Sequence, residues 1–126
     1  MPDDTQERED NKRIVTEFYK TALFEGDVDK AIRLYGGETY TQHTPFAANG
    51  FDGLKIVDKY PNTRGEIKRV FAEGDHVILH CHYTGFFGKN GDAIIDIFRV
   101  DAGKVVEHWD VIQAIPDSSL NDNTMF

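Results

Sequence analysis

Asp96, His108 and Asp110 are the residues of this sequence best suited to moving a proton. They stand in Asp96-Ile97-Phe98-Arg99-Val100 and Lys104-Val105-Val106-Glu107-His108-Trp109-Asp110, two stretches joined by Asp101-Ala102-Gly103. Two carboxyl groups brought close in a poorly hydrated place cannot both ionise easily, so one keeps its proton nearer to neutral pH. Such a carboxyl can take a proton from carbon beside a carbonyl and return it to oxygen, help worth about 10²–10⁴ in rate. His108 would bridge the aspartates, orient one of them, or hold a substrate oxygen. The plainer alternative is a structural pair tied to His108 or to backbone.

Strand alternation decides whether these side chains meet. Ala93–Val100 and Lys104–Ile115 read as two strands, and a Gly103 bulge would set Val100 opposite Lys104. Asp96, Phe98, Val106, His108, Asp110 and Ile112 then share one face, with Ile95, Ile97, Arg99, Val105, Glu107, Trp109 and Val111 on the other. The preceding strand alternates Val77, Leu79, Cys81 and Tyr83 with His76, Ile78, His80 and His82. A two-residue turn at Asn90-Gly91 inverts the parity, placing Cys81 and Tyr83 with Asp96 and Phe98, and His80 and His82 with Arg99 and Glu107. Three polar residues thus stand in an otherwise apolar cup, and buried carboxylates are costly unless used. The opposite face is also too apolar for water, which predicts a homodimer formed through it. Arg99 and Glu107 should form a cross-strand ion pair.

The first half of the chain must cover this cup. Ile14, Val15, Phe18, Tyr19, Ala22 and Leu23 form a helical stripe from Asp10, stopped by Gly26. Asp27 can cap a second helix carrying Val28, Ala31, Ile32 and Tyr35, and Asp52 a third, carrying Leu54, Val57 and Tyr60. Between them Tyr40–Pro45 is extended, because Pro45 disfavours helix before it. Glu66–Ala72 is a further strand. Helices followed by antiparallel strands indicate one α+β domain over residues 11–126, after a flexible N-terminus at 1–10.

Composition narrows the function classes. The formal charge of −8 argues against nucleic acid and anionic membranes as partners. The acidic N-terminus is no signal peptide, no apolar run reaches membrane-helix length, and the lone Cys81 fits a reducing compartment, so cytoplasm is the expected location. His80-Cys81-His82 has ligand-type spacing, yet its histidines face away from the aspartates, and no metal site is expected. Cys81 reads as packing, Ser118 and Ser119 lie in a polar tail, and Gly85, Gly88 and Gly91 belong to a hairpin tip rather than a phosphate loop.

The Asp96–Val100 and Lys104–Asp110 hairpin resembles the C-terminal hairpin of SnoaL-like proteins in the nuclear-transport-factor-2-like superfamily. Tyr40-Thr41-Gln42-His43-Thr44-Pro45 is similar to that family's Tyr-x-Gln-His-Asn-Pro segment, with Thr44 in place of Asn. The helix order and the Asn123–Phe126 ending also resemble its aldol-condensation subgroup. The resemblance spans about residues 11–126 and implies a cystatin-like cone, three helices on a curved mixed sheet, usually dimeric. It implies cofactor-free and metal-free acid/base chemistry on a carbonyl compound: aldol condensation, cyclisation or isomerisation. Asp110 matches the family's proton-carrying aspartate, while Asp96 lies where cyclases can carry a histidine. In such a fold His43 would lie near the pocket mouth, where it would donate to a developing oxyanion or else cap a helix end. Tyr40, Gln42, Phe18, Tyr19, Tyr60, Tyr83 and Phe98 are the candidate substrate-binding lining, with ordinary core or surface as the plainer alternative. Relatives that only bind ligands leave a second reading: a non-catalytic small-molecule-binding domain or dimeric accessory protein.

Overall fold

The structure, a computed structural model, describes residues 4–126. It opens with helix α1, Thr5–Tyr19, so most of the stretch expected to be flexible is helical; Met1, Pro2 and Asp3 lie outside the described residues. Side chains one turn apart explain the early start. Gln6 Nε2 donates to Asp10 Oδ1 at 3.0 Å, Lys12 Nζ to Glu9 Oε1 at 3.2 Å, and Arg8 pairs with Asp4. The helix runs on into a π-helical turn, Lys20–Phe24, where Glu25 N–H reaches Lys20 O at 2.9 Å. Gly26, at φ +72°, ends it. Asp27 then caps α2, Val28–Tyr35, accepting from Lys30 N at 3.1 Å.

The third helix is a 3-10 helix, Phe51–Lys59, and its cap is Gly50 rather than Asp52, which sits inside the first turn. The turn before it is tight: a Cβ on Gly53 would lie 1.9 Å from the Ala48 carbonyl oxygen, so only glycine fits.

Five strands follow the order β1-β5-β4-β3-β2, with β1 Gly36–Gln42, β2 Arg64–Glu73, β3 His76–Thr84, β4 Asp92–Asp101 and β5 Lys104–Ala114. β1 runs parallel to β5 and the other neighbours are antiparallel, so the sheet is mixed. The three helices pack on one face, as the resemblance implied. Phe18, Tyr19, Val15 and Ala22 meet Val77, Leu79, Cys81, Tyr83, Ile94 and Phe98 in one core.

Both hairpins keep the expected parity by different geometry. Asp96 lies opposite Asp110 and Phe98 opposite His108. The β4–β5 turn, however, is a two-residue turn at Ala102 (φ +49°) and Gly103 (φ +77°), with Asp101 opposite Lys104 and Val100 opposite Val105. A shift between Arg99 and Val100 inserts Val106 as a bulge, and that extra residue restores the even pairing beyond it. Val105 is therefore fully buried and Val106 half-buried, which corrects the faces expected for these two residues. Between β3 and β4 the connection is not a two-residue turn at Asn90-Gly91. Tyr83 pairs with Asp92, and residues 85–91 form a wider loop carrying Phe86 and Phe87. Asp92, which the sequence did not single out, is fully buried and accepts from the N–H groups of Phe87 and Gly88 at 3.0 Å, holding that loop in place.

The outer sheet face leaves Val111 71% exposed, Phe71 54% and Ile95 37%. The C-terminal tail crosses part of it, stacking Phe126 on His82 at 4.3 Å. Among the described residues no helix is long and apolar enough to cross a membrane.

Candidate active site

Neighbouring strands bring Asp96, His108 and Asp110 together below α1. Thr44 N–H donates to Gln42 Oε1 at 3.1 Å, which fixes the direction of that amide. The same oxygen lies 2.7 Å from His108 Nδ1, so Nδ1 carries a hydrogen. Nε2 lies 2.7 Å from Asp96 Oδ1, and one further proton must occupy that line, on the ring or on the carboxyl, because two lone pairs would repel. The second Asp96 oxygen accepts from Tyr19 OH at 2.6 Å, and Tyr83 OH donates to Tyr19 OH. Burial, helped by the negative field of Asp96, holds Tyr19 and Tyr83 well above the usual phenol range, so both remain donors. Asp96 is thus committed on both oxygens.

Asp110 is held differently. Its Oδ2 is 4.0 Å from His108 Nε2, and the neighbouring Thr44 hydroxyl makes no hydrogen bond of ordinary geometry. Burial raises the Asp110 pKa above the ordinary carboxylate value, His108 and Thr44 pull it back, and the Asp96 charge adds the smallest contribution. The facing carboxylates do shift one pKa, as expected, but through desolvation first and mutual repulsion last.

The three residues line one end of a cavity of about 650 Å³, its open mouth included. Phe18, Tyr19, Tyr40, Gln42, Tyr83 and Phe98 line it as expected. Leu23, Phe46, Leu54, Val57, Phe86, Ile94 and Ile112 complete an apolar wall, and no Lys or Arg reaches it among the described residues. Leu23, Leu54, Val57 and Ile112 lie on faces that the helical and strand periods turned inward, whereas Phe46 and Phe86 come from loops, whose burial has no period to reveal it.

Two expected site residues lie elsewhere. His43 points to the outer face, where Nε2 meets Glu107 Oε2 at 2.7 Å and the ring stacks on Trp109 at 4.7 Å. The cause is strand alternation: Gln42 pairs with His108 and faces inward, so the next residue faces out. Tyr60 packs on Phe86 and Phe87, with ring centroids at 4.6 and 5.6 Å, outside the cavity lining. Arg99 and Glu107 form the expected ion pair at 2.8 Å. His80 and His82 face outward and stack on Phe126, while Cys81 is buried on the inner side, its thiol pushed up to about 12 by desolvation.

Asp96, His108 and Asp110 offer donor atoms within 4.8 Å of one another and are the candidate ligand set for a metal among the described residues. The 2.7 Å approach of Nε2 to Asp96 Oδ1 is that of two atoms sharing a proton. Two ligands of one tetrahedral zinc stand about 3.3 Å apart.

The family model described as a SnoaL-like domain matches residues 15–108, well over half of the chain. No curated protein matches the sequence significantly. Among solved structures, a candidate polyketide cyclase from Bacillus cereus is 25% identical, with TM-score 0.69 over 82% of this chain and 74% of that one. A candidate polyketide cyclase from Acidithiobacillus ferrooxidans is 19% identical, with TM-score 0.68 over 82% and 87%. A candidate ketosteroid isomerase from Kribbella flavida is 14% identical, with TM-score 0.71 over 94% and 89%. What these likenesses share with the present chain is the α+β cone of nuclear-transport-factor-2-like proteins, three helices on a five-stranded mixed sheet. With the family model matching from the last turn of α1 into β5 as far as His108, the chain belongs to the SnoaL-like domain family.

Proposed function

We propose that this chain is a cofactor-free enzyme moving protons on a small, neutral, apolar carbonyl compound, in an aldol condensation, cyclisation or isomerisation. One observation carries the reading: Asp110 is a carboxyl of raised pKa, without the hydrogen bonds that tie Asp96, at the polar end of an apolar cavity. Asp110 carboxylate takes the proton from carbon beside the carbonyl and later returns it. His108 steadies the carboxylate by its proximity, and the Asp96–Tyr19–Tyr83 chain holds His108 in place. Among the described residues the cavity has no cationic side chain, which disfavours phosphorylated or carboxylated substrates. Asp110→Asn should lower kcat on a carbonyl substrate by about 10²–10⁴ while leaving its binding intact. Turnover that survives this change would overturn the mechanism.

A second copy of the chain is the proposed partner of the outer face, supported by the exposed Val111, Phe71 and Ile95. Light scattering should give a dimer mass, and a monomer mass at every concentration would refute it. The free, buried Cys81 suits a reducing compartment, and cytoplasm is the proposed location.

A further inference from the structure

Two hydroxyl groups in the cavity make no hydrogen bond of ordinary geometry among the described residues, although Gln42 lies close enough to act on Tyr40 and Thr44 close enough to act on Asp110. Tyr40 is 3% exposed and Thr44 8%, and the hydroxyl oxygen of each is buried. Leaving a buried hydroxyl unpaired is costly, so Phe and Val at these positions would suit the folded protein better. The fold holds both residues in place. The Tyr40 ring is stacked on Phe51 at 4.8 Å and lies parallel to His108 at 6.5 Å. Thr44 is anchored through its own N–H to Gln42 Oε1. Both line the same cavity as Asp110, and burial together with the Asp96 and Asp110 charges, against a smaller opposing pull from Gln42, keeps the Tyr40 phenol protonated.

We propose that the Tyr40 and Thr44 hydroxyls together hold the oxygen of the substrate's carbonyl, and so decide which carbon faces Asp110. The inference rests on the proton-transfer reading above. As the C–H bond breaks, its proton goes to the Asp110 carboxylate and its electron pair forms the new C=C bond. The carbonyl π pair moves to oxygen, and the charge there meets two preorganised O–H donors. No Lys or Arg lines the cavity to do this work among the described residues. The donors are neutral, which suits a ligand that enters uncharged.

The test compares 2-naphthol with naphthalene, which differ by one oxygen, using dissociation constants from NMR titration of the full chain. The wild type should bind 2-naphthol at least about tenfold more tightly. Tyr40→Phe and Thr44→Val should each narrow that gap about threefold to tenfold, and Thr44→Ser should keep it. Naphthalene affinity should stay unchanged, and Tm should hold or rise, because each change removes an unpaired polar atom. An unchanged gap in the double variant, or no gap in the wild type, would overturn the hydroxyl pair while bound naphthalene leaves the apolar cavity standing. If the wild type binds neither compound, the cavity reading falls and the pair falls with it.

Discussion

Two histidine–carboxylate contacts lie on opposite faces of β5, each at 2.7 Å. On the inner face His108 meets Asp96, with side chains 8% and 4% exposed. On the outer face His43 meets Glu107, with side chains 42% and 17% exposed. The contact geometry is shared and the solvent is not. Water competes for the outer pair, and Glu107 also has Arg99, so losing one partner leaves a group that can be rehydrated. The inner pair has no such recourse, because Tyr19 and Gln42 were oriented to suit it. A short histidine–carboxylate distance therefore says little about energetic weight until burial is known.

The largest effect that should separate the two faces is Asp96→Ala. It strands His108 Nε2 and Tyr19 OH in the core and should cost about 3–5 kcal/mol by urea unfolding. Asp96→Asn should recover a good part of that, since its amide can donate to a neutral Nε2 and its oxygen can still accept from Tyr19. Equal losses for both variants would show that the shared proton has been misplaced. Against this, His43→Ala should change stability by no more than about 1 kcal/mol, most of it stacking on Trp109. A loss as large as that of Asp96→Ala would break the comparison outright.

The smallest and most specific effect is the sign of the pH dependence. The Asp110 pKa is raised in the folded state, so its contribution to stability is full below the ordinary carboxylate value and is lost as pH rises through the raised value. Glu107 is lowered by His43 first and Arg99 second. Its contribution is full above the ordinary value and is lost as pH falls through the depressed one. Unfolding free energies of Asp110→Asn and Glu107→Gln against pH should therefore deviate from wild type in opposite directions. Activity depending on Asp110 should rise with pH over the range in which its stability contribution declines, because the carboxylate is the working form. Deviations of one sign would mean that the two faces share an environment after all.

Alternation alone made much of the site legible. A period of two in β3, β4 and β5, with turns that preserve parity, put Asp96, His108 and Asp110 on the face of Cys81, Tyr83 and Phe98 and sent His80 and His82 to the other. The prediction was robust to its own error at the turn. A two-residue turn plus one bulged residue pairs the same faces as the expected glycine bulge, and only Val105 and Val106 exchanged roles. The helical stripe of α1 likewise brought Phe18 and Tyr19 inward. Its true start at Thr5 was hidden, because polar pairs one turn apart carry no apolar signal.

What the residues by themselves determined is therefore local: periods, caps such as Asp27, and which neighbours along a strand share a face. What the tertiary structure alone decided is non-local. Tyr19 meets Asp96 across 77 positions, and the parallel register of β1 on β5 sets Gln42 beside His108. That register turned Tyr40, Gln42 and Thr44 toward the cavity and His43 away from it. The packing of α1 on the sheet distinguished the two aspartates, giving Asp96 the Tyr19 hydroxyl as well as His108 and leaving Asp110 without such bonds. Such choices depend on which strand lies beside which, and that is settled by the packing of the whole core rather than by any spacing along the chain.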